Sequence, residues 1–389
     1  CGPFDLASSD RILSLVDLDL EERAVGLRSL NGVRLTSKLL DLTRRHRTVY
    51  RECLRAVRLW ASAAGIYSNV QGYMGGVNLA LLVAHVLLSA PPNDDGTDPR
   101  SSATELLLCF FSTFAHWKWP EPVHLVPVQR SSPHLNADAA AKVGQYVWDP
   151  KANPRDGTHR MPILTCVYPA ANSAYSVGRP QLRRMTAELA EAERALRKIH
   201  RGEKDWSALL RDRVGDFFAR HAAFVEVRLS ARTPVHLKAW ERWIERIVRI
   251  LAVDLEGAPP GEEEEGAAPT RVEDVRAYPY ARILRNPDRA GEGPEAETVR
   301  SSSLYVALKF APGIEEIDLT ARARLFLRRA RQFEEFELGM DLEILCVQGR
   351  REAEKGAKRM SWKASKRAGR GRGARAAGGG KSVGGRGAH

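Results

Sequence analysis

The chain has 389 residues, with 60 Lys or Arg against 48 Asp or Glu and a formal net charge of +12, and this length allows two or three domains with cores of their own. Its five cysteines, Cys1, Cys53, Cys109, Cys166 and Cys346, lie far apart and form no CxxC pair, which excludes the usual zinc spacings, argues against a disulfide scaffold and fits a reducing compartment. No apolar run reaches the length of a membrane span and no signal peptide is visible, so the expectation is a soluble chain with no membrane partner.

The placement of the charge matters more than its size. Residues 349–389 hold 13 Lys or Arg and 2 Glu, and the rest of the chain nearly balances. A polycation with so few apolar residues, Met360, Trp362 and Val383 among its alanines, has a composition that forbids a packed core, and it attracts phosphate backbones without reading sequence. Lys366-Arg367 and Arg370-Gly371-Arg372-Gly373 within it are compatible with a nuclear import signal or an RNA tether.

From the start, Asp10 to Glu22 reads as helix or turn, and its Asp17-Leu18-Asp19 reads as a solvated acidic helix start. Asn31-Gly32 is a turn signal. Leu35 to Leu42 opens the next helix, and Arg44, Arg45, His46 and Arg47 form its solvent-facing basic end. Ala56, Leu59, Trp60 and Ala63 recur at three- and four-residue steps and predict a buried helical stripe that Gly65 stops.

A short polar and aromatic turn, Ile66-Tyr67-Ser68-Asn69, comes next. Gly72, Gly75 and Gly76 let the backbone approach a bulky partner closely. A second apolar helix starts near Val77, with Leu79, Leu82, Val83 and Val86 on its face. Glycines at a helix N-terminus leave N–H groups and the positive end of a dipole facing outward, which suits a phosphate. Arg58 and Tyr67 would add a charge and a hydroxyl donor there. A tight turn between two core helices is the competing reading.

Pro91 to Gly96 breaks the second helix. Ala103 to Phe114 reads as a buried helix stopped by Trp117-Lys118-Trp119-Pro120, whose aromatics anchor the helix end. Ser131 to Gly144 reads as surface loop, and His159, with no ligand or nucleophile at the right spacing, as structural. Gln181 to Ile199 is a long amphipathic helix that Trp206, Leu209 and Leu210 should dock.

Phe217-Phe218 marks a boundary. Beyond it, strands are expected at Phe224 to Ser230, Tyr280 to Leu284, Ser303 to Phe310 and Met340 to Val347, with helices at Leu237 to Leu255 and Leu319 to Phe336. Such interleaving suggests a split β-α-β sandwich of the RNA-recognition type. No paired aromatics of the kind that stack bases on such a sheet are present. Gly257 to Thr270, with Glu262 to Glu265, is an acidic spacer.

Several blocks carry a resemblance: Arg28-Ser29-Leu30-Asn31-Gly32, Arg55-Ala56-Val57-Arg58-Leu59-Trp60, Ile66-Tyr67-Ser68-Asn69, Gly75-Gly76-Val77, Trp117-Lys118-Trp119-Pro120, Val147-Trp148-Asp149-Pro150 and His159-Arg160-Met161-Pro162-Ile163-Leu164-Thr165. Tyr168-Pro169 and Asn172-Ser173 extend them. In this order they resemble the middle domain of eukaryotic nuclear poly(A) polymerases, and the segment after Phe217 resembles that family's RNA-binding domain more weakly.

The resemblance implies an α+β chain in four parts. These are a remnant of the nucleotidyltransferase domain (1–27), the central domain (28–216), an RRM-like domain (217–348) and a disordered basic tail (349–389). It implies ATP as substrate, the 3′ end of pre-mRNA as acceptor, Mg2+ or Mn2+ in a two-metal site, subunits of a cleavage and polyadenylation complex as partners, a monomer, and the nucleus as location.

Among single residues, Phe4-Asp5-Leu6 resembles the end of the family's catalytic strand, making Asp5 the third catalytic, metal-binding carboxylate. Arg58 takes the place of a triphosphate-binding Lys, and Ser62 stands where another cation is usual. Tyr67 would donate to a phosphate, Asn31 and Asn69 would bond the nucleoside, and Gly76 and Val77 would lie against the base. Cys1 in place of an initiator methionine suggests a fragment, so the other metal carboxylates are expected upstream. The alternative reading is a catalytically dead RNA-binding or scaffold relative that kept the central fold.

Overall fold

The computed structural model describes residues 20–348 apart from 92–95, 97, 133–136, 138–142, 211–213, 258–274, 282, 287–288, 291–297, 314–318 and 338. Asp5, Asp17-Leu18-Asp19, the Glu262 to Glu265 run and the tail after Gly349 lie outside the described residues, as does most of Ser131 to Gly144. The described chain is helix-rich, with an antiparallel sheet in its second half.

Helices α1 (Leu20–Leu42), α2 (Arg47–Ala63), α3 (Gly76–Ser89), α4 (Ala103–Ala115) and α5 (Arg179–His200) form the first half. Ser102 accepts the Glu105 N–H at 3.1 Å and so caps α4, an interaction worth about 1 kcal/mol. Trp60 of α2 meets Phe111 of α4 edge-on with ring centroids 4.8 Å apart, and Phe110 and Phe114 extend the aromatic layer. All eight residues of α3 between Asn78 and Leu87 other than Ala80 and His85 are buried, so this helix is apolar nearly all round, as the core position requires.

Three expectations change. Leu59 is 60% exposed, and the buried stripe of α2 runs through Tyr50, Cys53, Val57, Trp60 and Ala61. Asn31-Gly32 is no turn but lies inside α1, which runs unbroken to Leu42; Asn31 Oδ1 accepts from Arg34 at 2.7 Å, one turn on, and an interior Gly costs a helix only about 1 kcal/mol. Of the three residues expected to dock α5, Leu209 is buried but Trp206 is 42% exposed.

Between α4 and α5 the chain is largely irregular, and polar side chains hold it. Asn172 Oδ1 accepts from the N–H groups of Ile163 and Ala174, and the Trp148 indole donates to His159 Nδ1 at 3.1 Å. Burial holds the His159 pKa below its ordinary value, against an opposing pull from Asp156. The unfolded chain therefore binds the proton more tightly, so the contribution of a neutral His159 is complete above about pH 6.5 and is lost as pH falls below that. The stability margin of the natural chain over His159→Gln should narrow between about pH 7.5 and about pH 5.5 in urea denaturation. A margin that stays constant would show that His159 is not buried neutral.

After α6 (Val214–Arg220), the second half runs β1 (Ala223–Ala231), α7 (Pro234–Asp254), β2 (Val275–Pro279), β3 (Thr298–Phe310), α8 (Thr320–Ala330) and β4 (Asp341–Gln348). The sheet order is β2-β3-β1-β4, all pairs antiparallel, with Val225 opposite Val306 on one side and Cys346 on the other. Two-residue strands at Leu284–Arg285 and Arg289–Ala290 also pair with β3. The strand expected at Tyr280 to Leu284 is displaced: β2 ends at Pro279, and Tyr280 is buried off its end. The helix expected to reach Phe336 stops at Ala330.

Period-2 alternation gives the sheet two faces. Val225, Val227, Leu229 and Ala231 pack with Trp240, Ile244 and Leu251 of α7 and Phe326 of α8. Phe224, Ala307, Leu345 and Val347 on the other face pack with Phe217 of α6 and with Tyr280.

Candidate functional site

Helix α2 ends because Gly65 adopts φ +67°. Its N–H bonds to the Ser62 carbonyl at 3.1 Å, and the next N–H, of Ile66, reaches back to Ala61 at 3.0 Å. This paired closure of a helix C-terminus favours glycine at the left-handed position. The chain then loops to α3. Tyr67 bridges to Met74, the Tyr73 N–H bonds to the Ser68 carbonyl at 2.9 Å, and the Gly72 N–H bonds to Asn69 at 3.1 Å.

One side of this loop is built into the molecule. Ser68 Oγ and Gln71 Nε2 both donate to Glu245 Oε1 of α7, at 3.3 and 3.0 Å. The Ala281 N–H bonds to the Gly65 carbonyl at 3.1 Å, and the Tyr73 hydroxyl donates to the Pro279 carbonyl. Arg184 of α5, buried at 4% exposure, donates to the Ala64 carbonyl at 2.7 Å and to the Pro279 carbonyl. Both halves of the chain therefore hold the loop.

Its other side is open. Tyr67, Gly75 and Gly76 are half-buried, Asn69 is exposed, and Val77 is 46% exposed. The Tyr67 hydroxyl lies 3.3 Å from where a Cβ on Gly76 would sit, so it stands over the first turn of α3. The exposed Arg58 places its guanidinium 5.7 Å from the centroid of the Tyr67 ring. Asn78 Oδ1 accepts the Gly75 N–H at 2.7 Å, and its amide donates to Ser173 Oγ at 2.8 Å. The first helical bond of α3 is Leu79 N–H to the Gly75 carbonyl, so the N–H groups of Gly76, Val77 and Asn78 precede it and have no partner within the helix. A helix dipole, a cation and a phenolic donor converge here, an arrangement suited to an anionic group.

The structure thus brings together Arg58, Tyr67, Asn69, Gly76 and Val77. Asn31 is 9% exposed on α1, and its side-chain oxygen is taken by Arg34, which also reaches the Tyr168 carbonyl. Asp5 is outside the described residues. Among the described residues no group of three His, Cys, Asp or Glu side chains is placed to hold a metal ion, and no helix is long and apolar enough to cross a membrane. The four described cysteines are free.

Sequence reasoning missed the supports of the loop: Glu245, Gln71, Arg184 and the Asn78–Ser173 pair. Ser173 was marked only as part of a block, and nothing local in α7 marks Glu245 as the acceptor for residues more than 170 positions earlier.

Residues 49–212 match the family described as "Poly(A) polymerase central domain". The chain is 36% identical over 231 residues to "Poly(A) polymerase" of Dictyostelium discoideum, covering 59% of this chain and 26% of that protein. It is 32% identical over 247 residues to "Nuclear poly(A) polymerase 1" of Arabidopsis thaliana, covering 62% and 32%. With "Poly(A) polymerase PAPalpha" of Candida albicans it is 29% identical over 349 residues, covering 82% and 56%. The chain therefore spans between about a quarter and just over half of the length of these relatives. The whole loop from Gly65 to Gly76 falls within the matched domain. Over this segment the chain is therefore similar to poly(A) polymerases, and residues 49–212 resemble the central domain of that family.

Proposed function

We propose that this chain supplies the central and RNA-binding parts of a polynucleotide adenylyltransferase, which adds AMP from ATP to the 3′ ends of pre-mRNA in the nucleus. The observation that carries the reading is the open side of the Gly65 to Gly76 loop, where the Tyr67 hydroxyl stands over the N-terminus of α3 beside Arg58. A scaffold with no ligand has no use for such a wall.

In adenylyl transfer the 3′-hydroxyl of RNA attacks the α-phosphate of ATP in line and pyrophosphate leaves. The free N–H groups of α3, the Tyr67 hydroxyl and the Arg58 guanidinium would bind the triphosphate and hold charge near the leaving pyrophosphate. Arg58 keeps the charge of a lysine and adds a fork of donors. Asn69 would bond the nucleoside, with Gly76 and Val77 against the base, and Asn31, whose side-chain oxygen already accepts from Arg34, is the second candidate. Divalent ions supply charge neutralisation in this chemistry, but no donor set among the described residues fits them.

The sheet order β2-β3-β1-β4 with α7 and α8 on one face supports the reading of a split β-α-β sandwich, and we read residues 217–348 as the RNA-binding part. Relatives named as nuclear enzymes support the location. The basic tail would add a sequence-independent hold on RNA.

Titration of the chain with ATP by calorimetry tests this reading. Binding should be measurable, and Tyr67→Phe should weaken it about 10- to 100-fold, the range for a hydrogen bond to a charged group. Absence of any heat with the natural chain would remove the assigned wall, and unchanged affinity in Tyr67→Phe would remove Tyr67 from it.

A further inference from the structure

Helix α7 buries Leu237, Trp240, Ile244, Val248 and Leu251 against the sheet. Its opposite face carries Lys238, Arg242, Arg246 and Arg249 at spacings of four, four and three, which align on one helical face. Lys238, Arg242 and Arg246 are exposed, and Arg249 is half-buried. Among the described residues none of these four side chains has an acidic partner. The three acids of the same helix are engaged elsewhere: Glu241 with Arg285 at 3.4 Å, Glu245 with Ser68 and Gln71, and Asp254 with Arg329. Glu337 pairs with His236.

Like charges at i, i+4 destabilise an isolated helix. Three of them in succession with no acidic partner among the described residues, in a chain whose residues 1–348 nearly balance in charge, form a local excess that an external polyanion would relieve. The position of the stripe selects the polyanion. Glu245 sits among these cations and grips Ser68 and Gln71, so the stripe abuts the loop that presents Tyr67 and Asn69 on its other side. From Lys238 to Arg249 the helix rises about 16 Å, enough to follow a few nucleotides of a single strand.

We propose that Lys238, Arg242, Arg246 and Arg249 form a track for the phosphates of single-stranded RNA on the outer face of α7, running past the nucleotide wall. This rests on the adenylyl-transfer reading for its choice of RNA, and it adds an interface on the helical side of the domain, away from the sheet face that Phe217 and Tyr280 cover. The contacts are to phosphate, so the track reads no sequence.

The test uses the full chain, a fluorescent oligoadenylate and anisotropy titrations over a range of KCl. Single-strand binding loses about 0.7 in the slope of log K against log salt for each phosphate contact removed. The variant K238A/R242A/R246A/R249A should therefore lower that slope by about 2 to 3, while ATP affinity by calorimetry stays that of the natural chain and circular dichroism shows melting no lower than that of the natural chain. The basic tail contributes equally to both proteins. An unchanged slope, with RNA and ATP still bound by the natural chain, overturns the track alone. A natural chain that binds neither overturns the adenylyl-transfer reading and the track with it. Binding of a polyglutamate peptide that the variant loses, with the RNA slope unchanged, reassigns the face to an acidic protein segment and also overturns it.

Discussion

Gly65→Ala should lower the stability of the chain by about 2–5 kcal/mol, summing a left-handed residue with a Cβ and a forced contact in a packed seam. Gly65 adopts φ +67°, and a Cβ there would fall 2.3 Å from the Tyr280 ring, with two further ring atoms within 2.9 Å. The ring cannot step aside. It is 1% exposed, stacked on Phe217 at 4.7 Å with an interplanar angle of 26°, and covered by the Arg184 guanidinium at 4.9 Å. The backbone cannot step aside either, because the Gly65 carbonyl is tied to the Ala281 N–H.

The expected readout is a lower urea midpoint, together with weaker ATP binding, since the open side of the loop is placed by its buried side. A midpoint shift worth less than about 0.5 kcal/mol, the range of an ordinary surface substitution, would mean that Gly65 and Tyr280 are not in contact in solution. Gly72 offers an internal comparison. It also has a positive φ, of +78°, and a Cβ there would meet the Ser176 carbonyl at 2.7 Å, so its substitution should strain the loop without touching the contact to Tyr280.

The glycines and the apolar periods made much of this legible in the sequence. Gly65 was readable as a helix stop because few other residues accept its conformation. Helices α3 and α4 were readable because they are apolar over most of their length, and helix α7 and strands β1 and β4 because their apolar residues recur at a single period. The stripe of α2 was placed one position off at Leu59, because alanines on a helix fit either a core or an exposed face and give the pattern no sharp edge.

Strand β2 was missed for a similar reason. Its Val275-Arg276-Ala277-Tyr278 looks half polar, and the more apolar Tyr280 beyond it is buried against α6 and Gly65 rather than in the sheet. In the open wall, Arg58, Tyr67 and the glycines were legible from the turn and the helix start, whereas the roles of Asn69 and Val77 came only through resemblance to a family. Those behind it were not legible at all, because Glu245 and Arg184 act at sequence separations over which no local pattern operates.

Arg184→Ala should cost about 3–5 kcal/mol, the range for removing one partner from a buried charged network. The side chain enters from α5, donates to the Ala64 carbonyl just past the end of α2 and to the Pro279 carbonyl at the end of β2, and lies 4.8 Å from Phe217, 4.9 Å from Tyr280 and 5.8 Å from Tyr73 by ring centroid. One residue therefore joins two helices of the first half to a strand of the second. Its removal leaves the Ala64 carbonyl without that donor in a buried place and opens a void between three rings. Arg184→Lys should recover little of the loss, because a single ammonium cannot bond both carbonyls while stacking flat on aromatic faces. Arg184→Met should recover part of it, because it refills volume without donors. The order Arg, Met, then Lys and Ala in urea midpoints would identify packing as well as hydrogen bonding in the seam. A second readout separates a joint from an ordinary core residue: tryptophan fluorescence and far-ultraviolet circular dichroism, coincident for the natural chain, should unfold at different urea concentrations in Arg184→Ala as the two halves lose their coupling. Coincident transitions at an unchanged midpoint would show that the halves are held together elsewhere, and the loop between them would then need another support than Arg184.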